Sequence, residues 1–150
     1  MRLPFPPVLL LYIFAALMAL LDRFLPFGEF EFFGRQWLIW GLGIGSPLLV
    51  GAALYQFLKA RTSLDPLRLS RTRALVTGGI YRYSRNPMYL AMLLLLLAWG
   101  LYLGNAFNTL LAALFVSCMN RFQIRHEEAA LLRQFGKTYQ NYCIQVRRWF

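Results

Sequence analysis

The sequence predicts an all-α integral membrane protein with about four transmembrane helices, and three observations carry that reading. The 150 residues are 59% hydrophobic and only 15% charged, with a mean hydropathy of +0.48, too apolar for an ordinary soluble domain. Two long stretches, 37–58 and 88–119, carry no Asp, Glu, Lys, Arg or His at all. The basic residues gather in the segments between and after the apolar runs. The length fits one domain, 1–150, and leaves little chain for a separate soluble module.

The first span is expected over about 7–25, "PVLLLYIFAALMALLDRFL". Pro7 suits the first helical turn, and about 19 residues at 1.5 Å each give roughly 28 Å, enough to cross the hydrocarbon. Arg2 ahead of this run imitates a signal peptide, but no A-x-A-like site follows, so a retained first helix is expected. The connection "PFGEFEFFGRQ" alternates acids with phenylalanines and suits a headgroup-level loop. The second span, about 37–58, contains "GLGIG"; inside an apolar helix these glycines lack the strand and turn of a nucleotide site, so Gly41 and Gly45 read as a close helix-packing face. As one helix, 88–119 would measure roughly 48 Å, too long for one crossing. "GNAFN" at 104–108 therefore divides it into spans of about 88–103 and 107–122. The last helix should run on through "NRFQIRHEEAALLRQFG" and stop near Gly136.

Orientation follows from charge. Segment 59–87 holds Lys59, Arg61, Arg68, Arg71, Arg73, Arg82 and Arg85 against Asp65, and the tail beyond residue 120 is also basic. The 22–36 loop has Arg23 and Arg35 against Asp22, Glu29 and Glu31. The positive-inside rule then puts both termini and 59–87 in the cytoplasm, the inner membrane in a bacterium. The net charge of +10 lies beside apolar spans, so the lipid bilayer is the expected partner and nucleic acid is not. With His126 as the sole histidine and Cys118 and Cys143 outside any CxxC spacing, no metal site is expected.

Two polar clusters share the cytoplasmic side: "ALVTGGIYRYSRNPMY" before the third span and "RFQIRHEEAALLRQFGKTYQNY" after the fourth. An antiparallel hairpin brings its open ends together, so these clusters should meet. Asn86 is placed to cap the third span, with Pro87 in its first turn. Glu127 and Glu128, as helical neighbours, point about 100° apart, so one can face a pocket while the other pairs with Arg125.

The two clusters in this order resemble the membrane methyltransferase superfamily of isoprenylcysteine carboxyl methyltransferases and phospholipid N-methyltransferases. The resemblance rests on "LVTGGIYRYSRNPMY" and "EEAALLRQFGKTYQNY" and covers about 70–150, the expected catalytic half. It implies S-adenosylmethionine as methyl donor, held in a cytoplasmic-face pocket formed by the last two helices and the C-terminal tail. Carried over by position, donor contacts fall on Arg73, Ala74, Leu75 and Val76, then Tyr81, then Asn86, Pro87, Met88 and Tyr89. Glu127 closes that pocket with Glu128 beside it. Gly79 stands where many members have proline, a difference expected to be of little consequence. Gln123 stands where the prenylcysteine enzymes place a substrate-binding arginine. Arg121 and Arg125 flank it and become the candidate acceptor-binding residues.

The expected function is methyl transfer to an amphipathic, membrane-embedded acceptor: a prenylcysteine-like carboxylate, a lipid amine or a related lipophile. Positioning and exclusion of water can supply such catalysis without a dedicated base. A small four-helix transporter is the alternative, but a carrier would be expected to hold an ionisable residue within a span. A membrane scaffold, the third reading, leaves both clusters unexplained.

Overall fold

The computed structural model describes residues 6–25, 28–60 and 74–150. Six α-helices make up the described chain: α1 (Pro7–Phe24), α2 (Arg35–Lys59), α3 (Pro87–Leu103), α4 (Asn108–Cys118), α5 (Arg125–Phe135) and α6 (Lys137–Gln145). A 3₁₀ turn, Gly79–Arg82, precedes α3, and a π-helical stretch, Met119–Ile124, joins α4 to α5 without a break. The basic segment 61–73, with Arg73, lies outside the described residues.

Helix α1 begins with proline at its first position and α3 does the same at Pro87, where the missing amide costs no hydrogen bond. The helix that starts at Asn108 does run through to Phe135 and stops at Gly136, whose amide donates to the Leu132 carbonyl at 2.9 Å. Gly136 has φ 52° and ψ −125°, backbone geometry that side chains with a Cβ avoid. The sharp reversal there turns α6 back against α5. Helix α6 was not anticipated as an element, although its buried positions Tyr139 and Tyr142 already show helical spacing.

Helix α3 packs against α1, α2 and α4. Its core joins Phe14 and Met18 of α1 to Leu96 of α3 and Phe115 of α4, with Phe14 and Phe115 edge to face at 5.6 Å. Two polar bonds tie the helices within this apolar setting: Trp99 Nε1 donates to the Ala15 carbonyl at 3.0 Å, and Ser46 Oγ donates to the Ala91 carbonyl at 2.9 Å. At the far end from the motifs, Arg35 donates to the Leu101 and Tyr102 carbonyls at 2.7 and 2.9 Å, meeting acceptors that the end of α3 leaves open.

The close-packing face of α2 differs from the expected one. A Cβ added at Gly41 or Gly45 would meet nothing within 4 Å. Ser46 and Ala53, at 1% and 0% exposure, make the buried contacts instead. Seven residues apart, they share a helix face, one that turns toward α3 and the 79–82 segment. The other face carries exposed Trp37, Trp40, Ile44, Leu48 and Leu58, and α1 exposes Leu9, Tyr12, Ile13 and Leu20. Such an exterior suits lipid. Helices α1 and α2 are long and apolar enough to cross a membrane, and α3 is a shorter apolar helix of 17 residues.

Ala53→Leu is expected to overpack this contact and lower stability by about 1–3 kcal/mol. Gly45→Leu, facing open space, should leave the midpoint of thermal unfolding in detergent unchanged or higher.

Candidate functional site

The start of α1, the end of α2, the start of α3 and the α5–α6 hairpin converge on a cavity of about 350 Å³. That volume lies in the range of small-molecule sites. Leu75 and Val76 enter its wall from the chain ahead of the 3₁₀ turn, and Tyr81 from the turn itself. Asn86, Pro87, Met88 and Tyr89 line it from the first turn of α3. Glu127 and Glu128 face it from the first turn of α5. Of the residues expected around a donor, Ala74 is also in the wall, and Arg73 lies outside the described residues.

The two motifs are joined by direct bonds. Tyr89 Oη donates to Glu127 Oε1 at 2.5 Å, and Gln123 Nε2 donates to the same oxygen at 2.6 Å. Gln123 is 3% exposed; the residue that breaks the prenylcysteine pattern is thus a buried donor that orients Glu127. Glu128 takes a different partner from the expected Arg125. The Arg148 fork donates to it from Nε at 2.9 Å and from Nη2 at 2.6 Å, and Arg85 Nη1 lies 3.3 Å from Oε1. These bonds raise the Arg148 guanidinium further above its ordinary value.

The chain end is thereby strapped across the site. Arg85 N–H donates to the Arg147 carbonyl at 3.0 Å, and Trp149 Nε1 donates to Asn120 Oδ1 at 3.1 Å. The Asn86 side chain makes no cap to α3. Its Nδ2 donates to the Arg148 carbonyl at 2.9 Å instead, so the expected capping role gives way to a tether for the tail. The Asn86 carbonyl still opens the helix by accepting from the Tyr89 and Leu90 amides.

Aromatic rings complete the wall. Phe57 meets Tyr81 edge to face at 5.5 Å, and Tyr142 Oη donates to the buried Tyr81 carbonyl at 2.7 Å. Burial pushes the phenols of Tyr81, Tyr139 and Tyr142 well above their ordinary range, so these rings stay neutral donors at physiological pH. The turn before them depends on Gly79, at φ +59°, where an added Cβ would overlap the Gln56 side chain. Proline, fixed near φ −65°, cannot take this conformation, which glycine at position 79 adopts without strain.

Arg121 and Arg125 are exposed and absent from the cavity wall; Arg121 lies over the Phe122 ring at 5.9 Å. Among the described residues, the cation in the wall is Arg85. Arg85, Tyr139 and Tyr142 all sit within the two quoted motifs without having been assigned a role. The signal for the tyrosines was the spacing of Tyr139, Tyr142 and Val146, one face of a helix.

Arg148→Met should remove the fork on Glu128 and cost about 1.5–3 kcal/mol. Arg147→Met, which loses no side-chain bond given by the structure, should stay within about 0.5 kcal/mol. Denaturant midpoints in detergent compare the two, and equal midpoints would remove the strap from the account of the site.

The chain is 48% identical over 62 residues to an uncharacterized protein of Haemophilus influenzae, a match covering 41% of this chain and 98% of that one. It is 32% identical over 98 residues to a protein-S-isoprenylcysteine O-methyltransferase of Schizosaccharomyces pombe, covering 65% of this chain and 42% of the relative. The chain therefore spans about two fifths of that enzyme's length. No solved structure matches it significantly. A family match covers residues 35–138, taking in the 75–89 motif and both glutamates, and by it the chain belongs to the phospholipid methyltransferase family.

Proposed function

We propose that the protein is an S-adenosylmethionine-dependent membrane methyltransferase acting on an amphipathic acceptor that enters from the lipid. The observation that carries this reading is the cavity itself, in which Glu127, held by Tyr89 and Gln123, faces an aromatic and apolar wall drawn from both motifs. When bound, S-adenosylmethionine supplies a methyl group on a cationic sulfur, and its transfer is an in-line displacement.

The donor has cationic, diol and flat aromatic parts, and the residues present fit each of these. The Glu127 carboxylate accepts from an ammonium or a hydroxyl. Phe57, Tyr81 and Tyr139 offer ring faces and edges to a flat heterocycle and to positive charge. Met88, Met92 and Leu131 exclude water, which strengthens the attraction between a sulfonium and the nearby carboxylates. Pro6, Pro7 and Val8 of α1 complete the apolar side, where an acyl or prenyl chain could lie while its polar end reaches the methyl group. The acceptor class comprises a prenylcysteine-like carboxylate, a lipid amine or a related lipophile.

In this reading residues 1–150 form one membrane domain with four spans and both termini cytoplasmic, and the chemistry resides in about 70–150. The antiparallel course of α1 to α4 supports it, because the cavity then opens on the side that supplies the donor.

Glu127→Ala should weaken donor binding by about 1.5–3 kcal/mol, the range for a lost charged hydrogen bond, with the fold retained. Calorimetry with S-adenosylmethionine in detergent measures this, and unchanged affinity would remove Glu127 from the donor site.

Topology has a separate check. In a background lacking Cys118 and Cys143, a cysteine placed at exposed Phe33 should react with an impermeant reagent in intact cells. One at exposed Thr77 should react only after the membrane is opened; labelling of position 77 in intact cells would reverse the orientation.

A further inference from the structure

We infer that Arg85 is an oxyanion-binding group of the cavity, taking a carboxylate or phosphate oxygen of a bound ligand. The inference rests on the methyl-transfer reading and names a contact which that reading leaves open.

Arg85 lines the cavity with its side chain only 13% exposed. Its Nε is buried and has no acceptor among the described residues. A guanidinium carries five N–H donors, and the bonds given for this one use a single nitrogen: Nη1 sits 3.3 Å from Glu128 Oε1 and against Cys143 Sγ, a weak acceptor. The better bonds to Glu128 belong to Arg148, at 2.9 and 2.6 Å. Arg85 and Arg148 therefore share one carboxylate, and Arg85 holds the poorer part of it.

Burying a cation with unused donors is costly unless an acceptor arrives. The planar guanidinium fork matches a carboxylate or phosphate better than any neutral group. Arg85 shares the cavity wall with Asn86, Glu128, Tyr139 and Tyr142, and a ligand in the cavity can bring the acceptor. Two sources present this chemistry: the amino-acid carboxylate of the donor and an acidic head on the lipophilic acceptor.

The test pairs each acid with its neutral counterpart. Dissociation constants are measured in detergent for S-adenosylmethionine against its decarboxylated analogue, and for N-acetyl-S-farnesylcysteine against its methyl ester. In the wild-type protein at least one acid should bind about 10- to 100-fold more tightly than its partner. Arg85→Gln should reduce that preference to less than about 3-fold, and Arg85→Lys, which keeps the charge without the fork, should fall between. A preference lost in the first pair assigns Arg85 to the donor carboxylate, and one lost in the second assigns it to the acceptor. Wild-type protein with no preference in either pair overturns the inference without recourse to a variant. So does an Arg85→Gln protein that keeps the wild-type preference in both pairs; if this variant does not fold, full wild-type preference in Arg85→Lys overturns the fork contact. Failure of both S-adenosylmethionine and its decarboxylated analogue to bind rejects the donor reading instead, and the farnesylcysteine pair then decides Arg85 alone. Wild-type protein that binds none of the four ligands overturns both.

Discussion

The fork of Arg148 on Glu128 joins the last residues of the chain to the first turn of α5, and the order of the site follows from it. With that fork closed, the Arg148 carbonyl meets the Asn86 side chain and the Arg147 carbonyl meets the Arg85 amide. Trp149 then lies against the α1–α4 core with its indole N–H on Asn120. The entrance to α3, the turn into α5 and the tail are thus held by one ion pair with its attendant hydrogen bonds. A site assembled from separate helix ends needs such a link, because helix packing fixes axes and faces but leaves the frayed terminal turns mobile.

The location of the chemistry has the same physical origin. Inside an apolar bundle, polar groups must find partners within the protein, and regular helices supply partners only for their own backbone. Helix ends are the exception, since their unmet amides and carbonyls call in side chains. At one end of the bundle Arg35 satisfies the carbonyls of α3 and the matter closes. At the other, Asn86, Arg85, Glu127 and Glu128 meet each other and the tail around an open space. One end serves stability and the other encloses a ligand-sized cavity.

Much of this was legible in the residues. Uncharged runs located α2, α3 and α4, "GNAFN" located the α3–α4 turn, and the antiparallel hairpin brought the two motifs together around Glu127. The misplaced details share a cause. The glycines of α2 advertise close approach, yet Ser46 and Ala53 make it, because the direction in which a lipid-facing helix turns depends on partners that hydropathy cannot rank when every face is apolar. Asn86 has the residue type of a cap, but a carbonyl 62 positions away competes for its amide group. Glu128 was matched to Arg125 on helical spacing, whereas Arg148 reaches it from beyond the reversal at Gly136. Local spacing sees neighbours on one element and is blind to a tail that returns.

The π-helical stretch Met119–Ile124 has a consequence for how such chains are compared. A π turn accommodates about one residue more than an α turn spanning the same rise. The flanking α4 and α5 can therefore keep their facing directions if one residue is removed between Cys118 and Arg125, the turn simply relaxing to ordinary α geometry. Were the full sequence wound as regular α-helix, the carboxylate of Glu127 would swing by about 100° around the axis. A related chain aligned with a one-residue gap in this stretch can thus present the same carboxylate to the same cavity, and a gap-free alignment with a regular helix cannot. Loss of a residue here conserves architecture, and retention without the π turn would not.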